Sequence, residues 1–250
     1  MAAQLKGRQD TEIGFMFIHG AGLRGNVWEA VTSGLDVPVL LADFPYRDGS
    51  EQTRLALTLD DYASHLCGQA ESWNIPRVIV VAHSIGGVLA LQVAEALLKR
   101  GRLAGLAAVG AAIPGRGGSF LSELPLVKRA LLRIVMRVAG TRPPESAIRT
   151  GLCNDLPESQ SAGIVQAFVP EARRIYSDAC HAGVPDVPSL YVKLTRDREF
   201  SPALQDRMIA NLGPGTVRQL DTGHLPMLGN PDGLRAILQS FMAECVDKQQ

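Results

Sequence analysis

The sequence of 250 residues predicts an α/β protein with a doubly wound, mostly parallel sheet and a helical cap insertion. The first observation is that short apolar runs alternate along the chain with longer segments of helical periodicity. The second is that the apolar runs are continuous, which is typical of parallel strands covered by helices on both faces. The third is that residues 115–185 contain no good strand, so the alternation is interrupted once and then resumes.

Six apolar runs of strand length predict the strands, over residues 12–20, 37–45, 77–84, 103–114, 187–197 and 216–224. The first run ends at Gly20, and the second ends at Pro45, which cannot donate to a strand ladder. The third run, RVIVVAHS, is apolar without interruption from Val78 to Ala82. The fourth consists of small and apolar residues, and the last two end in polar loops.

Three helices are predicted between the strands and one after the last strand, over residues 59–75, 87–101, 201–213 and 231–245. The first begins with acidic residues and repeats apolar residues with helical spacing. The second ends in Lys99, Arg100 and Gly101, a cationic C-terminus followed by a glycine. The third begins at Ser201-Pro202 and the fourth at a proline, both typical of helix N-termini.

The interrupted stretch predicts an all-helical insertion between two parts of one core. Helices are expected over 122–140 and 143–155, and on both sides of Pro170 within 157–180. The chain is therefore divided into an α/β core, residues 1–114 and 186–250, and a helical cap, residues 115–185. Such a block could cover an active site, or it could be structural padding.

Composition excludes several classes of protein. Lysine plus arginine equals aspartate plus glutamate, at 25 each, so a general nucleic-acid binder is not expected. The longest apolar runs are too short to span a bilayer, and residues 1–14 contain no apolar run of signal-peptide length. The four cysteines show neither CxxC pairing nor metal-ligand spacing. We therefore expect a cytoplasmic protein with reduced thiols and no metal.

The stretch VIVVAHSIGG, residues 78–87, places Ser84 where a buried strand turns into a helix. Ala82 and Gly86, two positions before and after the serine, are small enough to allow a sharp turn. The usual pattern is G-x-S-x-G, so Ala82 is a departure from it. The serine could be a nucleophile exposed on this turn, or only the N-cap of the helix.

Three further pieces favour the nucleophile. His224 lies in a glycine-containing loop after the strand 216–224, and Asp197 follows the preceding strand, 27 residues earlier. The order Ser, Asp, His is that of α/β folds that use such a serine. The strand that ends in FIHGAG could direct the N–H of Ala21 toward the serine, opposite the N–H of Ile85. These two groups would bind the oxyanion.

Asp197 has two rivals as the acid that orients His224. Asp221 lies three residues before His224, too near along the chain to come from a separate strand end. Asp43 follows a strand in the earlier half of the sheet, where a structural role is expected.

These motifs together resemble the α/β-hydrolase superfamily over essentially the whole chain, and most of all its esterase and hydroxynitrile lyase branch. The matching pieces are IHGAGLRGNVW, LTLDDYASHL, VVAHSIGG, LTRDREFSPALQDRMI and DTGHLPMLGNP. The resemblance implies that Ser84 is the nucleophile, His224 the base and Asp197 its orienting acid. It also implies that Ala21 and Ile85 form the oxyanion hole and that no metal or organic cofactor is needed.

The same resemblance separates hydrolysis from the other chemistries of the branch. Hydroxynitrile lyases carry a lysine directly after the catalytic histidine, where this sequence has Leu225. They also use a threonine where this sequence has Gly20-Ala21-Gly22. Haloalkane dehalogenases carry an aspartate in place of Ser84. These differences favour hydrolysis.

Apolar side chains that could line a substrate pocket, or belong to the ordinary core, are Trp28, Phe120, Met136, Phe168 and Leu225.

Arg129, Arg133 and Arg137 recur every four residues in the cap and form a basic stripe. The stripe could attract an anionic substrate or an acidic membrane surface. We expect instead a solvated face opposite an inward apolar face made of Leu131, Leu132, Val135 and Val138.

The predicted function is that of a serine hydrolase that cleaves a carboxylic ester or lactone of a small, rather apolar molecule through an acyl-enzyme. Two alternatives stay open. One is cleavage of a carbon–carbon or amide bond by the same three residues, and the other is a ligand-binding sensor with slow turnover. The predicted partner is a small molecule, and the oligomeric state is left open, a homodimer included.

Overall fold

Six parallel strands form one sheet in the computed structural model, which describes residues 12–247. The N-terminal segment without a predicted signal peptide lies almost wholly outside these residues. The strands are β1 (Ile13–Ile18), β2 (Val39–Ala42), β3 (Arg77–His83), β4 (Leu103–Val109), β5 (Ser189–Leu194) and β6 (Thr216–Leu220). Their order across the sheet is β2-β1-β3-β4-β5-β6. The predicted α/β class and all six predicted strands are confirmed, with shorter ends than the apolar runs.

The pairing of the strands brings four distant loops to one edge of the sheet. Ile18 of β1 pairs with Ala82 of β3, and Val109 of β4 pairs with Val192 of β5. Because all pairs are parallel, the loops after β1, β3, β5 and β6 emerge on the same side. Open α/β sheets bind their ligands at this edge.

Helices cover both faces of the sheet, as the continuous apolar runs indicate. Phe15 and Phe17 of β1 pack on one side, together with Trp28 and the C-terminal helix, whereas Met16 and Ile18 pack on the other. All four side chains are fully buried. Alternate residues of one strand therefore serve two separate cores, and a polar residue at either kind of position would be buried.

The longer helices are α1 (Leu59–Ser72), α2 (Gly86–Lys99), α3 (Leu126–Val138), α4 (Glu158–Ala167), α5 (Pro202–Leu212) and α6 (Pro231–Asp247). Their ends follow from local chemistry. Thr58 and Asp61 form a reciprocal capping box at the start of α1, and the hydroxyl of Ser201 caps α5. Gly213 ends α5 in the left-handed conformation, with φ of 55°.

Short helical turns complete the chain, at Gly25–Trp28, Glu29–Thr32, Glu51–Leu55, Phe120–Glu123, Glu145–Ala147, Ile148–Leu152, Arg174–Ser177 and Pro226–Gly229. Residues 115–185, which we call the cap segment, contain α3, α4 and four of these turns. The cap segment forms one isolated antiparallel β-bridge with the rest of the described structure, between Gly22 and Val169. The division into core and cap as separate units stays a prediction.

The orientation of α3 differs from the sequence-based expectation. Leu131, Val135 and Val138 were expected to face inward, but they are 61%, 45% and 83% exposed. The inward side of α3 is instead formed by Leu132 and Met136. Apolar residues occupy more than half of this helix's circumference, so the helix cannot bury all of them against one surface.

Candidate active site

Ser84 occupies the sharp bend between β3 and α2. Its φ angle of 53° lies in the left-handed region, which costs a residue other than glycine on the order of 1–3 kcal/mol. The turn is held by the N–H of Ala112, which donates to the carbonyl of Ser84 at 2.8 Å. A Cβ at Gly86 would lie 2.5 Å from the carbonyl oxygen of His19, so this position needs glycine. Ala82 is fully buried, and the fold accommodates its methyl group.

A chain of hydrogen bonds connects Ser84 to His224 and Asp197. The Oγ atom of Ser84 lies 3.0 Å from Nε2 of His224, and Nδ1 of His224 lies 2.8 Å from Oδ2 of Asp197. His224 and Asp197 are buried, with 2% and 8% of their surfaces exposed. The fold therefore brings together three residues that are 27 to 140 positions apart in sequence. Such a chain can pass a proton from a hydroxyl to an imidazole.

The carboxylate of Asp197 is fixed by the backbone that follows it. Its Oδ1 atom accepts hydrogen bonds from the N–H groups of Glu199 and Phe200, at 2.8 and 2.9 Å. Oδ2 is left to face His224. Both rival acids contact other groups: Asp43 accepts from the N–H of Gly25, and Asp221 accepts from the hydroxyl of Thr195.

The electrostatic surroundings of His224 favour its protonated form. Burial by itself lowers the pKa of this imidazole, but the charge of Asp197 and its hydrogen bond outweigh burial. The net result is a pKa above the ordinary histidine value. An imidazolium that forms when a serine loses its proton is stabilised by the same two interactions.

Ala21 and Ile85 lie beside Ser84 and line the same cavity. The loop after β1 passes so near the serine that a Cβ at Gly20 would lie 2.9 Å from the Cβ of Ser84. Gly22 has a φ of 81° and donates its N–H to Glu171 at 3.2 Å. Ile85 directly precedes α2, so its N–H belongs to the positive end of that helix.

His83 and His19 brace the loops around Ser84. The Nε2 atom of His83 lies 2.7 Å from the carbonyl oxygen of His224. A carbonyl only accepts, so this nitrogen carries the proton. Burial holds the pKa of His83 well below its ordinary range. His19 lies with Nδ1 2.8 Å from the carbonyl oxygen of Gly20 and with its ring packed on Phe44.

A cavity of about 800 Å³ opens on Ser84 and His224. Of the predicted pocket residues, Phe120, Met136 and Phe168 line it. Trp28 and Leu225 do not, which corrects the prediction: both are fully buried in the core beneath the sheet. The ring of Trp28 packs on Phe17. Leu225 lies in the same core cluster, and a short helix begins directly after it.

Sequence reasoning missed several lining residues. Phe200 stacks on Phe120 with ring centroids 5.7 Å apart and lies 5.2 Å from the ring of His224. Its position three residues after Asp197 was a usable signal. Tyr176, Leu132 and Leu204 complete an apolar wall that no motif marks. Four charged side chains also reach the cavity, namely Lys128, Arg142, Glu145 and Glu199.

Within residues 12–247, no cluster of three or more histidine, cysteine, aspartate or glutamate side chains is arranged to hold a metal ion. None of the helices in the same range is long and apolar enough to cross a membrane.

These features are those of an α/β protein of the hydrolase class. They are the strand order, the serine at the β3–α2 bend, and the chain of hydrogen bonds from that serine through His224 to Asp197. Residues 15–237 match the alpha/beta hydrolase family, so the chain belongs to that family. The resemblance stated from the motifs is confirmed.

Proteins similar to this chain include named esterases and hydrolases. A pimeloyl-acyl-carrier-protein methyl ester esterase of Stenotrophomonas maltophilia (strain R551-3) is 27% identical to this chain. The alignment covers 91% of this chain and 92% of the relative. An extracellular α/β-hydrolase from a Paenibacillus species superposes with a TM-score of 0.78 at 17% identity, over 91% of this chain and 98% of that one.

An Arabidopsis methylesterase superposes with a TM-score of 0.70 at 21% identity, over 92% and 99% of the two chains. At these identities the two solved structures show the fold alone. The family and the names of the relatives confirm the prediction of a carboxylesterase-like hydrolase.

Proposed function

We propose that this protein is a serine esterase that hydrolyses a carboxylic ester, or a lactone, of a small and rather apolar molecule. The observation that carries the proposal is the hydrogen-bonded chain Ser84–His224–Asp197, which opens on an apolar cavity. Its partner is the small-molecule substrate. The predicted cytoplasmic location and the homodimer stay predictions.

In the proposed reaction, Oγ of Ser84 attacks the ester carbonyl carbon and its proton passes to Nε2 of His224. The negative charge that develops on the carbonyl oxygen is bound by the N–H groups of Ala21 and Ile85. The C–O bond to the alcohol then breaks, and the alkoxide takes the proton from His224. Water repeats the sequence on the acyl-enzyme, which releases the acid and restores Ser84.

The cavity supports an apolar acyl group. Phe120, Phe168 and Phe200 provide aromatic walls, and a volume of about 800 Å³ falls in the range of ligand pockets. The Stenotrophomonas relative is named as a methyl ester esterase, and the Arabidopsis protein of similar fold is named as a methylesterase. We therefore propose methyl esters of medium-length acyl chains, free or attached to a carrier, as the first substrates to test.

Hydroxynitrile cleavage is disfavoured because the residue after His224 is the buried Leu225 and not a lysine. Cleavage of carbon–carbon or amide bonds would use the same three residues. No contact in the described residues favours either reaction over ester hydrolysis.

The test is hydrolysis of a p-nitrophenyl ester series and of a methyl ester series, from two to twelve carbons. Ser84→Ala should lower kcat by about three or more powers of ten, as removal of a nucleophile does. Ser72→Ala is the matched control, because Ser72 is exposed on α1 and donates only to the carbonyl of Gly68. Equal, slow rates for the wild type and Ser84→Ala would contradict the proposal and favour the sensor.

A further inference from the structure

The outer side of α3 carries a row of exposed aliphatic side chains. Val127, Leu131, Ile134 and Val138, which we call the outer ridge, are 82%, 61%, 61% and 83% exposed. Their spacing of four, three and four residues places them on one side of the helix. Leu132 and Met136 point the other way, into the cavity. An exposed apolar row of this length is unusual for a surface helix and indicates a contact.

Cations border the outer ridge. Arg129, Arg133 and Arg137 follow one edge at intervals of four residues, and Lys128 lies on the other. The sequence of α3 contains no acidic residue, although the whole chain has a net charge of zero. Within the described residues, none of these four cations forms an ion pair. Lys128, Arg133 and Arg137 are exposed and therefore available to an anionic partner, whereas Arg129 is half-buried and donates to the carbonyl oxygen of Leu124.

We propose that α3 docks the protein on an anionic lipid surface, with the outer ridge among the acyl chains and the arginines at the headgroups. An amphipathic helix with aliphatic residues on one face and Lys/Arg beside them binds membranes in this way. An anionic bilayer complements both parts, the charge and the apolar row. In a symmetric dimer through this face, each copy would instead bring four cations and no anion.

The docked face lies beside the opening of the cavity. Lys128 and Val135 are exposed and also line the cavity, so they join the outer surface of α3 to its inner surface. An apolar ester dissolved in the bilayer would meet the cavity there. This last step rests on the proposed esterase function, whereas lipid binding itself does not.

The experiment is sedimentation of the Ser84→Ala protein with vesicles of neutral phosphatidylcholine, with and without 30% phosphatidylglycerol. We expect binding to the anionic vesicles that weakens with salt. Leu131→Gln with Ile134→Gln should reduce binding by about 10-fold or more. Arg133→Gln with Arg137→Gln should reduce it by roughly 25-fold, at about 5-fold for each cation.

Leu98→Gln is the matched control, because Leu98 is 43% exposed on α2 and does not belong to α3. This variant should bind anionic vesicles as the parent protein does. Hydrolysis of soluble p-nitrophenyl acetate by the same variants on the active background tests whether they are folded. Three results would overturn the proposal: no vesicle binding, a dimer that the ridge variant dissociates, or binding to an acidic carrier protein without binding to vesicles. If the protein binds vesicles but the wild type hydrolyses no ester, the docking proposal stands and only the proposed esterase function fails.

Two carboxylates of the cap segment reach the loops of the candidate active site, an observation independent of the outer ridge. Oδ2 of Asp155 accepts from the N–H of Gly223 at 2.5 Å and from the hydroxyl of Thr222 at 3.1 Å. These two residues directly precede His224. The approach is so near that a Cβ at Gly223 would lie 2.6 Å from Oδ1 of Asn154.

Glu171 makes the equivalent contact on the other side of the site. It is fully buried and accepts from the N–H of Gly22, which follows Ala21. Arg47 and the hydroxyl of Tyr62 hold the same carboxylate, at 2.5 and 2.9 Å. The cap segment thus contacts both the loop that carries the base and the loop of the proposed oxyanion hole.

We infer that Asp155 and Glu171 are positioning residues that hold His224 and the N–H of Ala21 in their reactive geometry. A displacement of about 1 Å at either loop would weaken proton transfer or oxyanion binding without changing the groups themselves. This inference rests on the proposed function.

Asp155→Ala should lower kcat by about 10-fold with little change in KM, and Asp155→Asn, which keeps an acceptor for Gly223, should recover most of it. Asp221→Ala is the matched control, because it removes a neighbouring partner of Arg196 without touching Gly223. Unchanged kcat in Asp155→Ala, or equal losses in the alanine and asparagine variants, would overturn the inference. An inactive wild type would instead overturn the proposed function.

Discussion

Replacement of Asp197 by asparagine tests the proposed mechanism at one atom. In the wild type, Oδ1 accepts from two backbone N–H groups and Oδ2 faces Nδ1 of His224 at 2.8 Å. Asparagine has one oxygen and one NH2 group. The two backbone donors, of Glu199 and Phe200, can be satisfied only if the oxygen stays at the Oδ1 position, so the NH2 group must face His224.

The size of the effect follows from that forced orientation. An NH2 group donates, so Nδ1 of His224 must become the acceptor and the proton must move to Nε2. A protonated Nε2 cannot accept the proton of Ser84, which lies 3.0 Å away. The same replacement in a serine protease with this arrangement lowers kcat by about 10⁴. We expect a loss of that order here, with little change in the melting temperature.

The assay is p-nitrophenyl acetate hydrolysis between pH 5 and 9, with Asp221→Asn as the matched control. Asp221 was the rival acid nearest to His224 in sequence, and its side chain is 77% exposed. The control should keep its rate within about 2-fold. An Asp197→Asn protein that retains more than a tenth of the wild-type kcat would refute the assignment of Asp197 and the tautomer argument with it.

Three further predictions follow from single contacts. Because the pKa of His224 is raised and only the neutral imidazole accepts a proton, kcat/KM should fall on acidification with a midpoint above the ordinary value of about 6.5; a midpoint below 6 would contradict this. Arg47→Met leaves the buried carboxylate of Glu171 without its cation and should lower the free energy of unfolding by about 3–5 kcal/mol in urea titrations, whereas Lys99→Met, at an exposed pair, should change it little. Phe120→Ala enlarges the cavity and should shift the preferred ester to longer chains, and an unchanged chain-length profile would show that Phe120 does not limit the acyl group.

The sheet could be predicted because buried parallel strands leave a direct record in sequence. In RVIVVAHS, every position from Val78 to Ala82 must be apolar, since alternate side chains enter two different cores. The position of Ser84 could also be predicted, because small residues are needed on both sides of a bend. Ala82 departs from the usual sequence motif but does not disturb the bend. Two residues before Ser84 a methyl group fits, whereas two residues after it the carbonyl of His19 leaves room only for the glycine, Gly86.

The pocket could be predicted only in part, because an apolar residue carries no information on which surface it faces. Trp28 and Phe168 are both large, apolar and buried, yet one packs under the sheet and the other lines the cavity. Asp155 and Glu171 were missed for a related reason. Their roles depend on a contact with the backbone of a glycine 68 or 149 residues away, and backbone donors leave no pattern in sequence.

The orientation of α3 shows what periodicity can and cannot determine. The spacing of Arg129, Arg133 and Arg137 correctly indicates that the helix has distinct sides. The sequence-based interpretation assumed that the side opposite the arginines packs inward, because in a surface helix burial is the usual reason for apolar residues to share a side. Here only Leu132 and Met136 of the larger apolar residues face inward without being exposed, and the four aliphatic residues of the outer ridge remain outside, together with Leu126 and Val135. An apolar side that does not pack on its own protein still needs an explanation. If vesicle binding fails, that explanation must come from another molecule that covers the same four side chains.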